Sequence, residues 1–184
     1  MTYPLILLLL ISLPELNSFF GDYQLKDAES GRTIEVFVGR TDSDTVIEAR
    51  VGILHYLEAL TLRGDTLKVK YRRFSAGLLS FTVRYSPLRT RMVLPLRTDT
   101  IVYEGTEHRP GPDRQIKSRI IVTESDSIFR IVSRTEREGS EDDVSIMEMN
   151  EDYSLRVIEM DLPAFMHLYR LGGFKSPHFR LESE

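Results

Sequence analysis

Apolar and polar residues alternate with a period of two through most of this chain, and that alternation restricts the fold more than any other feature. Leu67, Val69 and Tyr71 alternate with Lys68, Lys70 and Arg72, and Phe81, Val83 and Tyr85 with Ser80, Thr82 and Arg84. Ile34, Val36 and Val38 alternate with Thr33, Glu35 and Phe37, and Met92, Leu94 and Leu96 keep the same beat, as do Ile128 and Val132. Successive side chains of a strand point to opposite faces, so such runs form strands with one buried and one wet face. Turn signals separate them: Ser30-Gly31, Arg63-Gly64-Asp65, Ala76-Gly77, Ser86-Pro87, Thr98-Asp99, Arg109-Pro110-Gly111-Pro112, Ser125-Asp126, Gly139 to Asp143 and Asn150 to Asp152. They recur about every 11 residues, which is the spacing of hairpins joined into a sandwich or barrel, and imply roughly ten strands.

The expected fold is therefore all-β, without βαβ units or a parallel sheet. An open meander of this many strands leaves unpaired N–H and C=O groups along its edges, whereas closure into an antiparallel barrel removes them. A β-sandwich is the alternative. Near the C-terminus Leu162, Phe165, Met166 and Tyr169 fall at i, i+3, i+4 and i+7. That spacing predicts a short helix over 163–171, capped by Asp161 and stopped at Gly172, with a strand over 164–170 as the competing reading.

The 184 residues suit one domain. There is no cysteine, which excludes disulfides, thiolate metal sites and cysteine nucleophiles. The net charge of −4 gives no general attraction to nucleic acid. From Leu5 to Leu13 the chain is almost wholly apolar and ends at Pro14, too short for the ~20 residues a membrane-spanning helix needs. This run fits the core of a signal peptide over 1–18 cleaved near Ser18, although Met1-Thr2-Tyr3 carries no basic residue. A barrel domain over 19–174 and a tail over 175–184 follow. The expectation is export, to the periplasm or outside the cell, with no transmembrane anchor and with packing in place of disulfides.

The stretch Phe19-Phe20-Gly21-Asp22-Tyr23-Gln24-Leu25 resembles the Phe-x-Gly-x-Trp-x-Leu opening of the lipocalin and fatty-acid-binding (calycin) superfamily, with Tyr23 in the place of the tryptophan. In that superfamily the segment enters the first strand and closes one end of the barrel. The resemblance implies a lipocalin-like barrel, and a C-terminal helix packed on it. The Arg-x-Tyr carboxylate clamp of the intracellular fatty-acid binders does not occur in this chain.

A closed barrel of eight to ten strands can hold one small ligand or be filled by its own side chains. For a small hydrophobic or amphipathic ligand, the inward faces are expected to supply Leu67, Val69, Tyr71, Phe81, Val83 and Tyr85, joined by Tyr103. Buried tyrosine hydroxyls need hydrogen-bond partners and could orient a polar head group. The other surface of note is basic. Between Arg63 and Arg97 nine basic residues stand against Asp65 alone, while residues 136–161 carry ten acids against Arg137 and Arg156. These segments can pair with one another, or Lys68, Lys70, Arg72 and Arg84 can form a face for an anionic protein partner. His108 beside Glu107 suits acid–base chemistry only if a second member stands nearby; none can be placed there, and a solvated loop histidine is the favoured reading. His55 and Glu58 would face together on a helix but not on a strand, so they are not a metal pair. No metalloprotease, nucleophile-elbow or phosphate-loop motif occurs. The expectation is a binding protein without enzymatic activity, metal or cofactor. Arg63-Gly64-Asp65 reads as a hairpin turn.

Overall fold

The computed structural model describes residues 16–27, 29–40, 44–51, 54–137, 142–161 and 178–181. The Leu5–Leu13 run and the helix expected over 163–171 lie outside the described residues. Twelve strands follow one another as a meander: β1 Gly21–Asp27, β2 Thr33–Arg40, β3 Thr45–Val51, β4 Leu54–Arg63, β5 Thr66–Ala76, β6 Leu79–Val93, β7 Asp99–His108, β8 Arg114–Ser125, β9 Ile128–Arg137, β10 Asp143–Asn150, β11 Leu155–Asp161 and β12 His178–Leu181. Each pairs antiparallel with its neighbour, and β12 pairs with β1 to close the barrel. The closing strand lies within the stretch expected as a tail, 175–184. A four-residue strand is too short to show alternation in sequence, but it supplies the rungs that remove the last edge.

Local chemistry accounts for the turns. Gly64 adopts φ +63° between β4 and β5, and Gly77 φ +59° between β5 and β6. Glycine reaches this region without the steric cost of a Cβ. The Arg63-Gly64-Asp65 segment is thus the hairpin turn that its flanks imply. Between β8 and β9 the turn residues Asp126 and Ser127 both have positive φ, the backbone twist that suits a two-residue hairpin.

The interior has two zones. At the end where β4 turns into β5, the filling is apolar: Met92, Leu94, Leu96, Phe129, Met149 and Leu155 are buried. A 3₁₀ turn over Leu16–Phe19 lies across this end and buries Phe19 completely. The Tyr23 hydroxyl donates to the carbonyls of Ser18 (2.7 Å) and Phe19 (3.1 Å), tying the turn to β1. The Phe-x-Gly-x-Tyr segment therefore closes one end of a barrel, as the resemblance implies. Leu94 and Leu96 belong to the connection after β6 rather than to a strand, and they fold inward as part of the same plug. The zone toward the opposite end, where β5 turns into β6, is polar.

Candidate functional site

Three register shifts in β4–β6 create this polar zone. The pairing of β4 with β5 slips between Ala59 and Leu60, and that of β5 with β6 slips between Leu67 and Lys68 and again between Val69 and Tyr71. A bulge adds one residue to one strand and reverses which side chains face inward beyond it. Leu67 and Val69 point inward as expected and are buried. Past the bulge, Arg72 turns inward instead of Tyr71: Arg72 pairs in register with Val83 and Glu58, and Tyr71 pairs with the exposed Arg84.

Arg72 is accordingly buried, not a member of an outer basic face. Tyr71 lies on the outer wall, where the Arg73 guanidinium stands 5.8 Å from its ring centre. Of the remaining basic residues, Arg84 is exposed, Lys68 is partly so, and Lys70 pairs with Asp44 at 2.7 Å. Arg72 thus leaves the set expected to form one outer face, while Lys68, Lys70 and Arg84 remain outside.

Val83, Tyr85 and Tyr103 occupy the interior, as the alternation predicts. Phe81 faces the same way but stands at the rim, 43% exposed, stacked on Phe74 with ring centres 4.9 Å apart. The Tyr103 hydroxyl donates to the Pro87 carbonyl at 2.7 Å. Burial pushes its phenol up to about 12.

Around these tyrosines lies a layer of charge that alternation does not reveal. Glu58 Oε1 accepts from Arg72 Nε (2.9 Å) and Nη2 (2.7 Å), while its Oε2 lies 3.6 Å from Arg91 Nε. Burial alone would raise the Glu58 carboxyl, but the positive charges of Arg72 and Arg91 hold it down to about 2. Across the barrel Arg137 donates to Glu107 at 3.2 Å and also pairs with Asp143. There desolvation wins, and the Asp143 carboxyl is raised despite the Arg137 charge. Arg89 lies between the two groups. Its Nη2 donates to Ser133 Oγ (3.0 Å) and Thr135 Oγ1 (2.7 Å), and Thr135 Oγ1 in turn meets Ser118 Oγ at 2.9 Å. The Tyr85 ring receives two guanidinium groups, with Arg72 5.9 Å and Arg89 5.7 Å from its centre.

Among the described residues, four arginines (72, 89, 91 and 137) meet three carboxylates (58, 107 and 143) in this layer. Among the described residues Arg89 Nη1 is buried without a hydrogen-bond partner, and Arg91 Nε meets only the Glu58 carboxylate, at ion-pair distance. Removing a charged donor from water without a partner is costly, so both atoms are prepared to receive an acceptor. Arg91, though not Arg89, lines a cavity of about 30 Å³. Val36, Ile47, Ala49, Met147 and Ile158 form its apolar wall, and Tyr56, Glu58, Arg72, Arg91 and Ser145 its polar one. At ~10–15 Å³ per water-sized group, it has room for the two oxygens of a carboxylate.

Sequence reasoning missed Glu58, Arg89, Arg91, Glu107, Arg137 and Asp143. One signal was present: Glu58 interrupts the apolar stretch Leu57, Ala59 and Leu60, where a lone buried acid calls for a cation. Glu107 and His108 point to opposite faces, and His108 meets Asp113 at 2.8 Å in an exposed turn. His55 instead pairs with Glu48 at 3.2 Å. Among the described residues no three potential metal ligands come together. No protein-family model, curated protein or solved structure matches the chain.

Proposed function

We propose that this is an exported, lipocalin-like binding protein that holds a small amphipathic ligand in its barrel. The ligand's anionic head group enters the arginine layer, and its apolar body lies against the wall leading to Phe74 and Phe81. The observation that carries this reading is that Arg89 Nη1 and Arg91 Nε are buried without a hydrogen bond among the described residues, in a layer with more cations than carboxylates. An anion would satisfy both donors and balance the charge, with charge-assisted hydrogen bonds that are stronger than neutral ones. The Phe74–Phe81 stack at the rim and the Tyr56–Phe74 contact (5.2 Å) give the body an aromatic surface between the head-group site and solvent.

The test is native mass spectrometry of the purified mature protein, followed by titration calorimetry with a medium-chain fatty acid and its methyl ester. A co-purified mass lost on denaturation, or binding of the acid but not the ester, is the expected result. Equal binding of acid and ester, or loss of neither on Arg89→Met, would refute the head-group assignment. N-terminal sequencing of protein recovered outside the cytoplasm tests the export step, with a mature start near Phe19 expected.

A second reading is favoured by how little of the interior is empty. A filled barrel would act through its outer wall, binding an anionic protein partner through Lys68 and Arg84. Such binding weakens as salt rises, because exposed charges are screened beyond a Debye length of ~8–10 Å.

A further inference from the structure

At the polar end of the barrel the hairpin of β5 and β6 extends past β7. β6 shares only three rungs with β7, Arg84–Ser86 against Thr106–His108, so its residues 79–83 extend past the last rung on that side. On the other side β5 remains paired with β4 as far as Ala76. The tip is apolar. Leu78 is fully exposed, Leu79 is 77% exposed, and Phe81 joins them on the face that continues the barrel interior. Elsewhere large apolar side chains are usually exposed singly, whereas here three cluster within four positions of one turn.

The charge around the tip has one sign. From Thr66 to Val93 the hairpin contains seven basic residues and no acid. Arg73 and Arg84 are exposed on its outer face. Arg73 stands about 13 Å along the strand from Gly77, at ~3.3 Å per residue. Its flexible side chain can therefore reach a layer of phosphates when the tip is immersed ~5–10 Å.

We infer that this tip docks on an anionic lipid bilayer, with Leu78, Leu79 and Phe81 entering the acyl boundary and Arg73 and Arg84 facing the headgroups. Area decides between a lipid and a protein partner. A stable protein interface buries ~1,200–2,000 Å² with a broad, shaped surface. A two-residue turn with three apolar side chains cannot supply this, but it can enter a bilayer without a complementary partner surface. Basic side chains next to an inserted apolar group add attraction to anionic lipids. Farther round the wall, on β8 and β9, the outward Lys117, Arg119 and Arg134 are exposed and charged. This inference does not depend on the occupancy of the interior.

The test uses the purified mature protein and large vesicles, one set of phosphatidylcholine alone and one containing phosphatidylserine. Co-sedimentation with the phosphatidylserine vesicles, weaker with the neutral ones, is expected. Leu78→Ser with Leu79→Ser should lower partitioning by about tenfold or more, and Arg73→Gln with Arg84→Gln should abolish the difference between vesicle types. Because the chain has no tryptophan, Leu78→Trp gives a fluorophore without background, and its emission should shift to the blue on anionic vesicles. Thermal melts of each variant should match wild type, since the changed side chains are exposed. Absence of co-sedimentation, or binding unchanged by the leucine substitutions, would overturn the inference. Concentration-dependent self-association that requires Leu78 and Leu79, without vesicle binding, would assign the tip to a second copy instead.

Discussion

Replacing Glu58 with glutamine tests the charged layer directly. The carboxylate is buried and binds Arg72 through two hydrogen bonds, with Arg91 facing its other oxygen. Its pKa is about 2 in the folded protein against an ordinary 4.5, which corresponds to about 3 kcal/mol of stability. The folded value lies below the unfolded one, so this stability is complete above pH ~4.5 and is lost as pH falls toward ~2. Glutamine keeps the shape but leaves Arg72 and Arg91 without a counter-charge, and breaking a buried pair costs about 3–5 kcal/mol. For a domain of this size that lowers the melting temperature by about 10 °C. Urea denaturation followed by circular dichroism, at neutral pH and near pH 3, measures both effects. Wild type should lose more than half of its advantage over Glu58→Gln at the lower pH, because the unfolded state then binds a proton that the folded carboxylate does not. A variant within about 1 kcal/mol of wild type at neutral pH would refute the account, as that is the size of an exposed pair. So would a gap that does not change with pH. The double variant Glu58→Leu with Arg72→Met should be more stable than either Glu58→Gln or Arg72→Met, because it removes both charges together.

Four further outcomes follow from the same geometry. Asp143→Asn should cost less than Glu58→Gln in the same urea assay, because burial raises the Asp143 carboxyl; its ionised form is disfavoured by folding, and that penalty grows as pH rises through the folded pKa. Arg89→Met should leave the ligand-free protein equally stable or more stable, as an apolar side chain replaces a buried guanidinium with an unpartnered nitrogen, while abolishing binding of the fatty acid by calorimetry. Gly105→Ala should destabilise by about 1–3 kcal/mol, since its Cβ would lie 2.2 Å from the Tyr103 hydroxyl and 2.9 Å from the Ser86 carbonyl; thermal melts beside Tyr103→Phe will show whether the hydroxyl is the obstacle. Phe19→Ala should cost about 3–5 kcal/mol by opening the apolar end, detected as a lower urea midpoint with an unchanged slope.

The barrel was legible because alternation is a local property. Ile34, Val36 and Val38 reach the interior in one unbroken run, as do Val83 and Tyr85, and the glycine turns fell where the runs stop. Phe19 and Tyr23 were legible through a motif rather than a period. Two things were hidden. Short β12 carries no pattern, and its place is set only by partners more than a hundred residues away in β1 and nearby in β11. The bulges in β4–β6 were also invisible, because a sequence written in strict period two has no sign for the residue that breaks it.

That second omission moved the functional site. Without a bulge after Val69, Tyr71 would face inward and Arg72 outward, giving an apolar cup with a basic exterior. With it, Arg72 joins Arg89, Arg91 and Arg137 inside. The charged layer then costs desolvation, which the three carboxylates only partly offset. An apolar core of similar volume would be as stable or more so, which makes packing alone a poor explanation of the layer. Its asymmetry points the same way: Glu58 is held ionised by two arginines, whereas among the described residues Arg89 donates hydrogen bonds only to hydroxyls, faces the Tyr85 ring and keeps one nitrogen without a hydrogen bond. A structural ion-pair network would close on itself, and this one stops at Arg89. An acceptor beside Arg89 would close the network, and discrimination between an acid and its ester is the test on which the proposed binding reading stands.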